Sequence, residues 1–548
     1  MKTAAAIVEI LKREGIDVLF GYPRNQLLEA AATADIRTVI VRQERIGLHM
    51  ADAVSRLTRG KKMGAFCMQH GPGAENAYGG VAQAYGDSVP VLVLPAGYPR
   101  RLAHVPFNFN STLQMAGVSK YAEPVTVGAE VPNIFRRAFT QLRNGRPQPV
   151  VVEIPYDAFD DEVPEPLDYS AVVRTKSGPD PDDVVKVAEV LLQARRPVIY
   201  AGQGIHWSEA YAELQELAEL LAIPVCTSLP GKSSFNETHP LALGSGGNAH
   251  PKTVPHFLRA SDVIFGVGCS FTESPFASTI PTGKTIIHAT LDPVDINKSV
   301  IAQYALVGDA KLTLKALLAA CRKHVKAKRD WTPVTGEIEK VSAEHMKEWL
   351  PRLTSNQEPL TPYRVLWDLQ HTVDVANTII THDAGSPRDQ LMPFWKSTTP
   401  LSYIGWGKTT QLGYGLGLAM GAKLVHPDKL CVNVWGDAAI GFTGTDFETA
   451  VRERLPILSI LLNNSSMAIH AAGDREIPRH GHLRRLRRHG PGTGWLWRAH
   501  HLGGGHHSRH QAWYRSDRGG QAGPVGVHYL PGNSSVEVLS MRRDRVQI

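Results

Sequence analysis

The sequence predicts an α/β protein built of three doubly wound parallel-sheet domains. Its 548 residues are too many for one core at roughly 100 to 200 residues per domain. Short apolar, β-prone runs alternate with helix-length segments, the signature of parallel sheets, and the alternation restarts twice. The first unit, 1–165, has strands expected at 18–21, 38–41, 64–68, 91–94 and 150–154. A Pro- and Asp-rich stretch at 179–183 leads into the second, 185–325, with strands expected at 198–201, 224–226, 263–267 and 285–288. A polar, Lys- and Glu-rich linker, 326–358, precedes the third, 359–469, with strands at 378–380, 431–435 and 457–462. Beyond this the pattern stops, and 470–548 is read as an aberrant basic tail.

With 43% apolar and 20% charged residues the composition is that of a globular protein able to bury cores. No uncharged apolar run approaches the roughly 20 residues of a bilayer crossing, and the amphipathic start through Arg13 lacks a signal-peptide block. A cytoplasmic protein without a membrane partner is expected. The five cysteines are scattered, with no CxxC pair, and read as reduced core residues. The net charge of +7 suggests nucleic acid until its location is found. Residues 471–548 carry 13 Arg and 9 His against five acidic residues, a surplus larger than the chain's own, so the body is close to neutral. Apart from the tail, nothing points to a nucleic-acid partner.

The chemistry is clearest in the third unit. The expected strand 431–435 runs into Gly436-Asp437-Ala438-Ala439, and after 24 further residues beyond Ala438 the next strand ends in Asn463-Asn464. A carboxylate and an amide oxygen at the carboxyl ends of strands suit a hard cation in a ligand crevice. Taken singly, Gly-Asp after a strand is a common turn and Asn-Asn means little. Together they resemble the thiamine diphosphate-binding motif, Gly-Asp-Gly followed by Asn-Asn, with Ala438 at the third position as in acetolactate synthases. The resemblance implies Mg²⁺ held by Asp437, Asn464 and the backbone carbonyl of Ser466. It also implies phosphates approached at Gly436, Ala438 and Ala439.

Other segments resemble the same family. Gly413-Tyr414-Gly415-Leu416-Gly417 is similar to the segment following the family's cofactor-bending residue, which puts Leu412 in the bending position and Gln411 beside the pyrimidine amine. Gly385-Ser386 resembles the diphosphate-contacting loop. In the first unit Arg42-Gln43-Glu44 and His49-Met50-Ala51-Asp52 match the segment whose glutamate bonds the aminopyrimidine ring. Glu44 would then promote formation of the cofactor ylide, which attacks a keto carbonyl and, after loss of CO₂, leaves an enamine. In Gln69-His70-Gly71-Pro72-Gly73 the His replaces a family serine. His70 reads either as a proton donor with Gln69 lining the pocket or as a histidine satisfied by backbone.

The middle unit holds Gly202-Gln203-Gly204, but position 207 is Trp, so the dinucleotide fingerprint is incomplete. Acetolactate synthases bind FAD in this domain through an arginine-bearing segment. Here that stretch is Gly268-Cys269-Ser270-Phe271-Thr272-Glu273-Ser274, without arginine, and FAD is not expected.

The resemblance covers about residues 1–469 and implies three domains: pyrimidine-binding, middle and diphosphate-binding. It implies an acetolactate synthase-like transferase or lyase, at least a homodimer, since Glu44 and Asp437 would grip one cofactor from different subunits. Simple decarboxylation and 2-hydroxyacyl-CoA lyase chemistry stay open. The tail, rich in Arg, His, Gly and Trp, has the composition of a GC-rich frame read out of phase. With free choice of synonymous codons, 483–507 and 519–531 shifted by one base become family-like. A frameshifted C-terminus that adds no strand or helix to the third sheet is a further expectation, with an inactive protein of the same fold, or an RNA-binding arm, as the alternatives.

Overall fold

The computed structural model describes residues 1–464 and 537–542. Three parallel sheets follow one another along the chain. In the first, β1 (Val18–Tyr22), β2 (Arg37–Ile40), β3 (Gly64–Met68), β4 (Val91–Gly97), β5 (Tyr121–Pro124) and β6 (Val150–Pro155) lie in the order β2-β1-β3-β4-β6-β5. In the second, β7 (Pro197–Ala201), β8 (Val225–Thr227), β9 (Ala242–Ser245), β10 (Val263–Val267), β11 (Thr285–Thr290) and β12 (Tyr304–Val307) take the order β12-β11-β10-β7-β8-β9. The third has β13 (Thr378–His382), β14 (Tyr403–Ile404), β15 (Leu430–Gly436), β16 (Leu458–Asn463) and β17 (Glu537–Arg542), ordered β14-β13-β15-β16-β17. Central strands such as β4, β6 and β10 are buried along their whole length, as helices on both faces of a parallel sheet require. That is why their sequences are continuous apolar runs rather than alternating ones.

Two expectations are corrected. The polar stretch read as a linker is largely a 22-residue helix, Thr332–Leu353, anchored by Ile338, Val341, His345 and Leu353 at helical spacing. The tail does add a strand: β17 pairs with β16 from Leu458↔Glu537 to Asn463↔Arg542. Its sequence, Glu537-Val538-Leu539-Ser540-Met541, is a β-prone run, and the open edge of β16 offers it a row of unpaired N–H and C=O groups. The rest of the tail, including Ser466 and the expected absence of a closing helix, lies outside the described residues.

The first and third sheets are joined by two helices, Glu44–Leu57 and Tyr414–Val425, that pack face to face. Glycines allow the approach. A Cβ on Gly421 would stand 2.6 Å from both the Ala53 Cβ and the Met50 carbonyl oxygen, and one on Gly417 2.5 Å from the His49 Cβ. Between the helices lies a buried ionic network. Arg56 donates to both oxygens of Asp52 (2.8 and 3.1 Å), to the Tyr414 hydroxyl (2.8 Å) and to the Gly405 carbonyl (3.2 Å). Asp87 stands 3.7 Å away and accepts the N–H groups of Gly407 and Lys408. The middle domain joins through Arg146, which pairs with Asp292 (2.8 Å) and Asp295, and through buried Lys232–Glu237, whose carboxylate accepts the Ser397 N–H.

Gly421→Val tests the helix contact. Overpacking there should cost about 1–3 kcal/mol, read as a lower denaturant midpoint. An unchanged midpoint would show that these helices do not meet closely.

Candidate active site

The third sheet sets three loops side by side. After β13 the chain passes first to β14 on one side and then to β15 on the other, so the sheet's topological switch point lies between β13 and β15. Gly385 and Ser386 follow β13, Asp437 follows β15, and Asn464 follows β16. The registers His382↔Val434 and Gly436↔Leu462 bring these strand ends level. Gly385 has φ +86°, a conformation that favours glycine, and nothing stands within 4 Å of where its Cβ would lie. At Gly436 only the Pro387 Cγ approaches, at 3.8 Å. The backbone thus forms an open cradle beside a carboxylate and an amide, an all-oxygen donor set suited to a diphosphate with a hard divalent ion. Asp437 Oδ1 accepts the Ala438 N–H at 2.9 Å. Among the described residues no three His, Cys, Asp or Glu side chains converge as a metal site. Ala439 is buried.

Asp383, which the motif reading passed over, organises this cradle. Fully buried, its Oδ1 accepts the N–H groups of Ala384 (2.8 Å) and Gly413 (2.9 Å), and its Oδ2 that of Gly415 (3.0 Å). One carboxylate therefore ties the loop of Gly385 to the segment of Gln411 and Leu412. Burial raises its pKa to about 6 against the lowering effect of those three donors.

Glu44 begins the helix Glu44–Leu57 and is 5% exposed. Burial pushes its carboxyl above the usual glutamate range, opposed by hydrogen bonding with Asn76 and attraction to Arg45. The helix carrying it abuts the one starting at Asp437: Gln43 donates to the Phe442 carbonyl (2.9 Å), Arg45 lies 4.5 Å over the Phe442 ring, and the Arg42 N–H donates to Asp446 (2.8 Å). His49 Nε2 and Gln411 Oε1 share a hydrogen bond of 2.8 Å. Burial lowers the His49 pKa to about 4. Leu412 packs, partly buried, against the core shared by the first and third domains. Within one chain, then, the Glu44, Gln411 and Asp437 elements are in contact.

His70 stands at the end of β3 between two tyrosines, Tyr98 (ring centroids 4.6 Å apart) and Tyr156 (4.8 Å), both edge-on. Its Nδ1 is buried with no partner among the described residues, and burial lowers its pKa. The reading of a histidine satisfied by backbone finds no hydrogen bond there. Gln69 lies against Gly73, with its Cβ 3.0 Å from where a Gly73 Cβ would sit.

Fold and site define an α/β protein with a glycine-lined cradle, beside a carboxylate, at the switch point of its third sheet. Models of the thiamine pyrophosphate enzyme family match in sequence order: the N-terminal TPP binding domain over residues 1–119, the central domain over 184–317 and the C-terminal TPP binding domain over 383–476. A probable acetolactate synthase large subunit of Methanocaldococcus jannaschii is 32% identical over 490 residues, covering 86% of this chain and 81% of that protein. The acetolactate synthase large subunit of Buchnera aphidicola subsp. Schizaphis graminum is 30% identical, covering 85% and 82%. Isozyme 3 of Escherichia coli is 29% identical, covering 84% and 82%. The chain belongs to the thiamine pyrophosphate enzyme family, as an enzyme of the transferase and lyase type similar to acetolactate synthase large subunits.

The Asp383 clamp has a signed consequence. Its folded pKa exceeds the unfolded value of 3.8, so folding is favoured most at low pH and loses stability as pH rises toward about 6. Asp383→Asn should therefore flatten the stability profile between those values relative to the parent. Below that window it should be weaker by roughly 2 kcal/mol, because an amide N–H faces a backbone donor, and the deficit should shrink as pH rises through the window. Parallel profiles in denaturation series would exclude the clamp.

Proposed function

We propose that the protein is a thiamine diphosphate- and Mg²⁺-dependent carboligase or lyase that decarboxylates a 2-keto acid in the manner of an acetolactate synthase. The observation that carries this reading is the row of three level strand ends, with Gly385-Ser386, Asp437 and Asn464, in a chain that also buries the carboxyl of Glu44. Asp437, Asn464 and the Ser466 carbonyl would hold the metal, and Gly385, Ser386, Gly436, Ala438 and Ala439 the diphosphate. Gln411 and Leu412 would hold the pyrimidine against the thiazolium. When bound, the cofactor supplies an acidic ring carbon that adds to the keto carbonyl and accepts the electron pair released with CO₂. Glu44 would hydrogen-bond the pyrimidine nitrogen and hold a proton there, for which its burial-raised pKa suits it.

His70 favours a second reading, simple decarboxylation. Its neutral ring, clamped by Tyr98 and Tyr156 with Nδ1 uncommitted, is suited to proton transfer to the decarboxylated product. As to the tail, the frameshift reading is supported by the C-terminal family match ending at residue 476, close to where helical and strand patterning stop. On that reading the gene's product in its normal frame would be the fully active form.

Glu44→Gln should abolish exchange of the thiazolium proton and turnover while leaving cofactor affinity within about threefold, because the amide keeps the shape and not the proton. Normal exchange, followed by proton NMR, would defeat the assignment. A homodimer or larger is proposed as the active unit. It is supported by the apolar side chains of Val105, Phe107 and Leu113 exposed after β4, which a second copy would cover. Sedimentation should find a dimer at assay concentration, and a fully active monomer would refute it.

A further inference from the structure

The second sheet has its own switch point, between β7 and β10, and a cavity of about 830 Å³ opens there beside the first domain. The family resemblance raises a flavin dinucleotide, but the glycine turn that would carry its diphosphate is already filled. A Cβ on Gly202 would lie 2.3 Å from the Gly268 carbonyl oxygen, and one on Gly204 2.6 Å from the Gly268 Cα. The N–H groups of Gly202 and Gly204 are donated to Val267 (2.9 Å) and Gly268 (2.8 Å). These glycines pack backbone on backbone and leave no free amide for a phosphate.

Donors are unmatched elsewhere on the cavity wall. Gln203 Nε2 and Trp207 Nε1 are buried without partners among the described residues. The Lys408 ammonium, which lines the cavity, makes no ion pair or hydrogen bond among those residues, and burial pulls its pKa down against the attraction of Asp87. The acceptors are in the opposite condition. Asp292 and Asp295 are held by Arg146, Asp295 also by Lys298, and Asp309 by Lys176 at 3.2 Å, leaving only Glu273, exposed at the rim. A half-buried cavity with surplus donors and committed carboxylates is complementary to an acceptor-rich ligand. Its other wall is aromatic, with Tyr200 stacked on Phe271 at 5.7 Å.

We propose that this cavity binds a small organic anion, a carboxylate or a phosphate ester with an apolar body, with Lys408 as its charge partner and Gln203 and Trp207 as neutral donors, in place of a flavin dinucleotide. The test is calorimetric titration of the purified full chain, and of Lys408→Met and Gln203→Leu, with benzoate, phenyl phosphate, benzyl alcohol and FAD. The expected result is saturable binding of at least one anion, one per chain, with no binding of uncharged benzyl alcohol. Which anion binds tells carboxylate from phosphate. Lys408→Met should weaken that binding about tenfold or more, and Gln203→Leu, on a separate element and informative should the first variant not fold, by a smaller factor. The proposal is overturned if neither anion binds, if the anion binds both variants as it binds the parent, as it would at the diphosphate loops, or if FAD binds one per chain with its visible spectrum.

Discussion

The arrangement of the site depends on one buried cation. Arg56 sits between Asp52, Tyr414 and Asp87 at the junction of the first and third domains, sealed from water. Removing any one partner would leave an uncompensated charge in a low-dielectric interior, a cost of several kcal/mol. The network thus fixes how the helix Glu44–Leu57 lies on the helix Tyr414–Val425. Those two helices start at the segments that carry Glu44 and Leu412, so an interaction that touches no reacting atom sets the distance between the groups that would. Asp87 extends the same control, holding the Gly407 and Lys408 amides where the chain turns toward Gln411.

Charge burial elsewhere in the molecule follows the same logic of shared partners. Asp383 is met by three backbone donors and no cation, and its carboxyl accordingly titrates high. Asp446, with a single backbone donor from Arg42 and the Thr449 hydroxyl, is raised to about 6 for the same reason. Neutral donors position these carboxylates without fully offsetting the loss of water.

Much of this was legible in the sequence, and the division has a physical basis. Glu44, Asp437, Asn464 and Gly385 belong to contiguous motifs whose residue types announce their chemistry. Asp383, His49 with Gln411, and Arg56 with Tyr414 act through partners up to hundreds of positions away, and nothing local marks them. The long central strands were readable because double-sided burial makes them uniformly apolar. The missed strands β5, β9, β12 and β14 are short and mostly at sheet edges, where Tyr121-Ala122-Glu123-Pro124 or Ala242-Leu243-Gly244-Ser245 carry polar residues, Gly or Pro. The Gly202-Gln203-Gly204 turn was read as a weak dinucleotide signal, and its glycines serve contact with Gly268 instead.

The pairing of β16 with β17 bears on how the chain keeps apart from its own copies. At the far edge of the third sheet β14 is only two residues long and offers a neighbouring molecule little to add to. β16 is different: Leu458-Ser459-Ile460-Leu461-Leu462-Asn463 is uncharged, apolar and free of proline, the composition that seeds intermolecular strand addition. It is an interior strand only while Glu537–Arg542 covers it. That cover begins 74 positions beyond the end of β16 in the sequence. Colloidal solubility thus rests on a late, distant strand, and whatever loosens that strand converts a buried element of the cofactor domain into a template for fibrous association.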